Sequence, residues 1–190
     1  MKVLAINGSP RKGGNTEILI RTVFQELEKE GIETELVQVG GKLVHGCIAC
    51  MKCREIKDVL CHIKNDFINQ IIPKMVEADG ILLGSPVYYG DITSEMKAMI
   101  DISGYVTSGN GHLLRRKVGA AVIVERRGGA MHALETLNNF FLINQMIIPG
   151  SSYWNFAFGR AAGDVLTDTE GLQTMRTLGE NMAWVMKKLG

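Results

Sequence analysis

The sequence lacks an excess of charge of either sign: 21 Lys and Arg stand against 20 Asp and Glu in 190 residues, a formal net charge of +1. That balance gives no electrostatic reason for a nucleic acid or an anionic membrane as partner. It also lacks a long apolar run near its start. After Lys2 only Val3 to Ile6 are continuously apolar, far short of a signal-peptide core or a spanning helix. No membrane partner is expected, and the reading places the chain in the cytoplasm. There is no internal repeat, no low-complexity tract and no linker, so residues 1–190 read as one domain long enough to bury a full core. Cysteines are few and are not spread as disulfide staples would be. Cys47, Cys50, Cys53 and Cys61 crowd into one segment, which in a reducing compartment favours metal. The basic cluster Arg115-Arg116-Lys117 reads as a solvated loop.

What is present is an alternation of two periods. Lys2-Val3-Leu4-Ala5-Ile6-Asn7 is a β-branched and aliphatic run ending at Gly8-Ser9-Pro10, the pattern of a buried strand feeding a loop. From Asn15 the apolar residues Ile18, Leu19, Val23, Phe24 and Leu27 repeat at three and four, and Gly31 closes the stretch like a helix C-cap. Thr34 to Val39 and Ile81 to Pro86 are the next strands, the latter preceded by a helix around Phe67 to Ala78. Val118 to Val124 has no polar residue, as expected of a central parallel strand covered on both faces. A helix from Ala130 to Asn144 follows, then Met146-Ile147-Ile148 as a fifth strand. The final helix carries Leu172, Met175, Leu178, Met182, Val185 and Leu189 as a core stripe. Five strands alternating with helices predict an α/β doubly wound parallel sheet with helices on both faces. The departure is Gly40 to Asn65, an irregular, cysteine-bearing insertion after the second strand.

In an open α/β sheet, ligands sit outside the carboxyl ends of the strands. There the first loop reads Gly8-Ser9-Pro10-Arg11-Lys12-Gly13-Gly14-Asn15-Thr16. Glycines let the backbone approach an anion, Ser9 and Thr16 offer hydroxyls, Arg11 adds a charged donor, and a helix begins at Asn15 or Thr16. A phosphate held by Ser9, Arg11, Asn15, Thr16 and loop N–H groups is the expectation. Gly8 and Gly13 imitate P-loop spacing, but Gly14-Asn15 stand where Lys and Ser or Thr are needed, which argues against an ATPase. After the third strand, Pro86 and Gly90 shape a loop at the same edge, while Tyr88 and Tyr89 supply π faces or hydroxyls for a planar ring.

The spacing Cys47-x-x-Cys50-x-x-Cys53-x7-Cys61 offers four soft sulfur ligands, which suit a [4Fe-4S] cluster or a tetrahedral zinc. Two successive two-residue gaps wrap three sulfurs around one compact object, whereas structural zinc sites more often use two separated cysteine pairs. His45 and His62 leave a mixed ligand set open, and redox thiols without metal are the remaining reading.

Gly8-Ser9-Pro10-Arg11 with Gly14-Asn15-Thr16, and Gly84-Ser85-Pro86-Val87-Tyr88-Tyr89-Gly90, resemble the NADPH-dependent FMN reductase branch of the flavodoxin-like proteins. The cysteine motif, Arg126-Arg127-Gly128-Gly129, Met146-Ile147-Ile148 with Trp154, and Asp168 to Gly171 resemble segments of its iron-sulfur flavoprotein subgroup. The resemblance implies a flavodoxin-like sheet of order 2-1-3-4-5, non-covalent FMN, a [4Fe-4S] cluster on the four cysteines, and a homo-oligomer, dimer or tetramer. It implies cofactor contacts at Ser9, Arg11, Lys12, Gly14, Asn15 and Thr16, at Pro86, Val87, Tyr88, Tyr89 and Gly90, and at Arg126 and Gly128. Glu125-Arg126-Arg127 departs from the pattern in being bulkier and more charged than expected beside a flavin rim.

The function so implied is an oxidoreductase that passes electrons between cluster and FMN, with NAD(P)H as a candidate donor and a redox partner protein or small-molecule acceptor. No catalytic acid, base or nucleophile is required, since the chemistry belongs to the cofactors. The alternative is an NAD(P)H-dependent FMN or quinone oxidoreductase with structural or free cysteines; a third reading is a binding module that kept the fold and lost the cofactor. Because the insertion leaves the carboxyl end of the second strand, the cluster is expected at the same sheet edge as the flavin.

Overall fold

The computed structural model describes residues 1–63 and 67–190; the last positions of the predicted insertion, Lys64 and Asn65, lie outside the described residues. Strands β1 (Lys2–Asn7), β2 (Glu33–Gln38), β3 (Gly80–Pro86), β4 (Val118–Glu125) and β5 (Phe156–Phe158) form one all-parallel sheet in the order β2-β1-β3-β4-β5. The period of two along each strand decides what covers it. Leu4, Ile6, Ile81, Leu83, Ala121 and Ile123 face helices α3 (Ile72–Glu77), α4 (Ser94–Gly109) and α5 (Ala130–Ile143). Val3, Ala5, Leu82, Ala120, Val122 and Val124 face α1 (Asn15–Lys29) and α6 (Thr169–Leu189). Both faces are therefore dry, and the flavodoxin-like order read from the sequence holds. Among the described residues no helix is long and apolar enough to cross a membrane.

The order reverses between β1 and β3, which opens a crevice at their carboxyl ends. The chain leaving β2 crosses that crevice closely. Val39 and Gly40 both donate their N–H groups to the Asn7 carbonyl, at 2.9 and 3.1 Å. A Cβ on Gly40 would stand 2.3 Å from the Ser9 carbonyl carbon, so only glycine fits there.

Two expectations need correction. Met146-Ile147-Ile148 is not the fifth strand: Ile147 makes an isolated bridge to Val118, and β5 lies at Phe156–Phe158. Pro149 lacks an N–H and breaks the run. The nine steps of chain from Ile147 to Phe156 span five steps of β4, from Val118 to Ile123, so the intervening residues loop out. Helix α4 has no counterpart in the sequence reading either. Its apolar stripe is interrupted by Ser103 and Thr107, both fully buried, whose hydroxyls donate to the Met99 and Ser103 carbonyls one turn back. The helix predicted from Phe67 to Ala78 is instead a short 3₁₀ helix, Phe67–Gln70, followed by α3.

Candidate functional site

The first loop is built to present backbone and hydroxyl groups. Gly8 donates to the Gly84 carbonyl at 2.7 Å, Ser9 N–H to Asn7 Oδ1 at 2.9 Å, and Arg11 N–H to Ser9 Oγ at 3.2 Å. Helix α1 starts behind Gly14, which has no side chain to cap it, so among the described residues no side-chain cap engages its first-turn N–H groups. Glu17 closes the turn: its carboxylate accepts the Gly13 N–H at 2.8 Å and binds Arg21. The Gly13 N–H, followed by Arg21, holds the Glu17 carboxyl below its usual range.

The second loop is a tight turn. Tyr88 N–H donates to the Asp91 carbonyl at 2.7 Å, with Tyr89 and Gly90 at its corner at φ of 49° and 86°. Gly129, at φ 102° on the loop before α5, packs beneath it; a Cβ there would stand 2.9 Å from Val87 Cγ1. Buried Glu125 ends β4 and accepts the Ala130 N–H at 3.0 Å, fixing the turn that carries Arg126.

These loops meet around one cavity of about 270 Å³. Of the residues singled out in the sequence, Ser9, Arg11, Asn15, Thr16, Pro86, Val87, Tyr88 and Arg126 line it. Lys12, Gly14, Tyr89, Gly90 and Gly128 do not, and Tyr89 is fully exposed. Val124 of β4 also lines it, and Gly159, Arg160 and Ala162, which complete the lining, were missed by sequence reasoning. Their loop is bound to the first one by side chains: Arg11 Nη1 donates to the Arg160 carbonyl at 2.9 Å, and Asn15 bridges the Ala161 carbonyl and the Gly163 N–H at 2.8 and 2.7 Å. Both ends of the Asn15 amide are thereby engaged. The signal available in the sequence was a glycine-framed loop, Gly159 to Gly163, directly after an aromatic strand.

All four cysteines line a second, narrow cavity of about 20 Å³, together with His62 and with Ile102, Tyr105 and Val106 of α4. Left-handed backbone at Ala49 and Met51 turns the chain between Cys47, Cys50 and Cys53. Burial pushes the Cys53 thiol up, and the neighbouring Cys50 and Cys47 add to the effect. Among the described residues, no three acidic, histidine or cysteine groups are drawn in to the geometry of a single metal ion. Arg54, on the short helix α2 (Lys52–Ile56), clamps the segment to α4: its guanidinium lies 5.0 Å from the Tyr105 ring centre and donates to Ser108 Oγ at 3.0 Å.

This clamp corrects the expected placement. Helix α4 begins beside the first loop, where Thr93 Oγ1 donates to the Gly8 carbonyl at 2.9 Å. Ile102 to Val106 lie 8 to 12 residues further along, about 12 to 18 Å at 1.5 Å per residue. The cysteines sit on the flank of the sheet, not at the crevice.

Comparison with known proteins agrees with this architecture. The NADPH-dependent FMN reductase family model matches residues 1–161. An iron-sulfur flavoprotein of Methanocaldococcus jannaschii is 42% identical over 98% of this chain and 98% of that protein. Another, from Methanosarcina thermophila, is 34% identical over 98% of this chain and 96% of its own length. A solved WrbA-like flavodoxin from Agrobacterium tumefaciens shares the fold with a TM-score of 0.67 at 15% identity, covering 98% of this chain and 97% of that one. With a sheet of order β2-β1-β3-β4-β5, a glycine-rich loop at its switch point and relatives alike from end to end, the chain belongs to the NADPH-dependent FMN reductase family, in its iron-sulfur flavoprotein group.

Proposed function

We propose that this protein is an FMN-binding redox flavoprotein that exchanges electrons between FMN and a [4Fe-4S] cluster held by Cys47, Cys50, Cys53 and Cys61. The observation that carries the reading is the convergence of two loops, distant in sequence, on one cavity at the switch point. One offers hydroxyls, a guanidinium and a helix start for a phosphate; the other offers Pro86, Val87 and Tyr88 for a planar ring.

In this reading Ser9, Thr16 and the first-turn N–H groups of α1 bind the phosphate, with the remaining Arg11 N–H groups. The Asn15 side chain holds the Ala161–Gly163 loop in place and contributes to the phosphate through its backbone N–H. Arg126 and Arg160 bring two further positive charges to the cavity wall. When bound, FMN and the cluster supply electron-transfer chemistry, and the protein sets their position and potential.

Four thiols beside a single imidazole, with no lining carboxylate, suit an iron-sulfur cluster. The cavity is too narrow for such a group unless the exposed half of the segment spreads. Cys47 and Cys50 lie on that exposed half, where few bonds oppose movement. Because the cysteine face sits well along α4 from the flavin mouth, a homo-oligomer that sets one copy's cysteine face against another's flavin mouth shortens the electron path. The chain works in the cytoplasm, with NAD(P)H or a redox protein as donor.

Anaerobic purification followed by an absorption spectrum and cofactor extraction tests the reading. Stoichiometric FMN with iron-sulfur absorption is the expected result. Rapid NADPH oxidation by an FMN-loaded protein that binds no iron would favour the reductase alternative, and a colourless protein that refuses FMN would overturn both.

A further inference from the structure

The cysteine segment is held unevenly. Asn69, on the 3₁₀ helix Phe67–Gln70, accepts the Cys61 N–H at Oδ1 at 2.8 Å and donates from Nδ2 to the Cys61 carbonyl at 2.7 Å. Asn110, the C-cap of α4, donates from Nδ2 to the Cys53 carbonyl at 3.1 Å and to the Val106 carbonyl at 2.8 Å. Its Oδ1 accepts the Val59 N–H at 3.2 Å. Cys53 and Cys61 are half-buried and pack on the apolar layer under α4. Cys47 and Cys50 are exposed, and among the described residues no side chain from outside the motif bonds either one.

The asymmetry has a physical meaning. These bonds are part-buried, so water reaches the main-chain groups only in part, and the two amides both satisfy them and hold them in place. At Cys61 one amide both accepts from the N–H and donates to the carbonyl, which fixes the two peptide units flanking its Cα and with them the direction of the Cα–Cβ bond, whereas at Cys53 the Asn110 amide holds the carbonyl. Here the two amides come from separate elements, a 3₁₀ helix and the end of α4, and each grips one of the two inner cysteines. The outer cysteines flank left-handed turns at Ala49 and Met51.

We propose that Asn69 and Asn110 are positioning residues that hold Cys53 and Cys61 as the preformed half of the thiol set, onto which Cys47 and Cys50 close. The inference rests on the reading of the four cysteines as cluster ligands and adds two residues outside the motif to the site. Groups that orient metal ligands commonly matter nearly as much as the ligands themselves.

The test uses the full-length protein, reconstituted anaerobically with iron and sulfide, as wild type, Asn69→Ala, Asn110→Ala and the double variant. Iron release to a chelator should be about 10-fold faster in each single variant and faster again in the double, with the FMN dissociation constant unchanged. Asn69→Asp keeps the acceptor for the Cys61 N–H and loses the donor, and should fall between wild type and Asn69→Ala. In the apoprotein, alkylation followed residue by residue by mass spectrometry should accelerate at Cys61 in Asn69→Ala and at Cys53 in Asn110→Ala, with Cys47 and Cys50 unaffected. Wild-type rates of iron release and alkylation in the double variant would overturn the proposal. Parallel loss of FMN and iron would also overturn it, by assigning the asparagines to the fold in general. Wild-type protein that takes up no iron would instead sink the cluster reading, and unchanged alkylation at Cys53 and Cys61 is the separate mark of failure of the positioning role.

Discussion

Arg11 joins two parts of the molecule: one guanidinium nitrogen holds the Arg160 carbonyl, and the residue lines the cavity. Arg11→Ala should weaken FMN binding by about 1.5 to 3 kcal/mol, the range for a lost charge-assisted bond, read by flavin fluorescence titration. An unchanged dissociation constant would remove Arg11 from the site. The two tyrosines separate cleanly. Tyr88 lines the cavity and Tyr89 is fully exposed, so Tyr88→Ala should alter the flavin spectrum and potential while Tyr89→Ala leaves both at wild-type values. Glu17 sets a pH dependence. Its carboxyl titrates lower in the folded protein than its usual 4.5, chiefly through the Gly13 N–H, so it stabilises the loop at pH above 4.5 and loses that contribution as pH falls through its folded value. FMN affinity should fall with acidification across that window. In Glu17→Gln the same affinity, measured by titration, should be weaker at neutral pH and less steep in acid.

At the scale of elements, the loops work because strands and helices approach without room to spare. Gly40→Ala would drive a methyl into the Ser9 backbone, so thermal unfolding should show a loss at or above the upper end of about 1–3 kcal/mol, together with weaker FMN binding. The same closeness explains how much was legible in advance. β1, β3 and β4 are continuous apolar runs because both sheet faces are covered, and the first two loops follow them directly. Helix α4 was not legible because its hydrogen-bonded Ser103 and Thr107 break the stripe from within the core. The fifth strand was misplaced because Met146 to Ile148 has strand composition, yet Pro149 stops the ladder after a single bridge. The Gly159–Gly163 loop escaped notice because it reaches the site through bonds such as that from Asn15 to Ala161, 146 residues apart in sequence. Chain direction out of β2 pointed the cysteines toward the crevice. The Arg54 contacts with Tyr105 and Ser108, which draw them along α4, leave no periodic trace.

For the whole molecule, two sites on one sheet divide the work: a cavity at the switch point suited to a phosphorylated ring, and a four-thiol pocket on the α4 flank. Their separation predicts that assembly and electron exchange are linked. Dilution to monomer, followed by sedimentation, should slow electron exchange between the centres while leaving FMN affinity unchanged. The central claim is that the four cysteines hold a [4Fe-4S] cluster, and the direct test is iron and acid-labile sulfide content after anaerobic reconstitution, with each cysteine replaced by serine in turn. About four irons and four sulfides per chain, lost on any single replacement, are the predicted result. Zinc at about one per chain, with no bound iron, would contradict it.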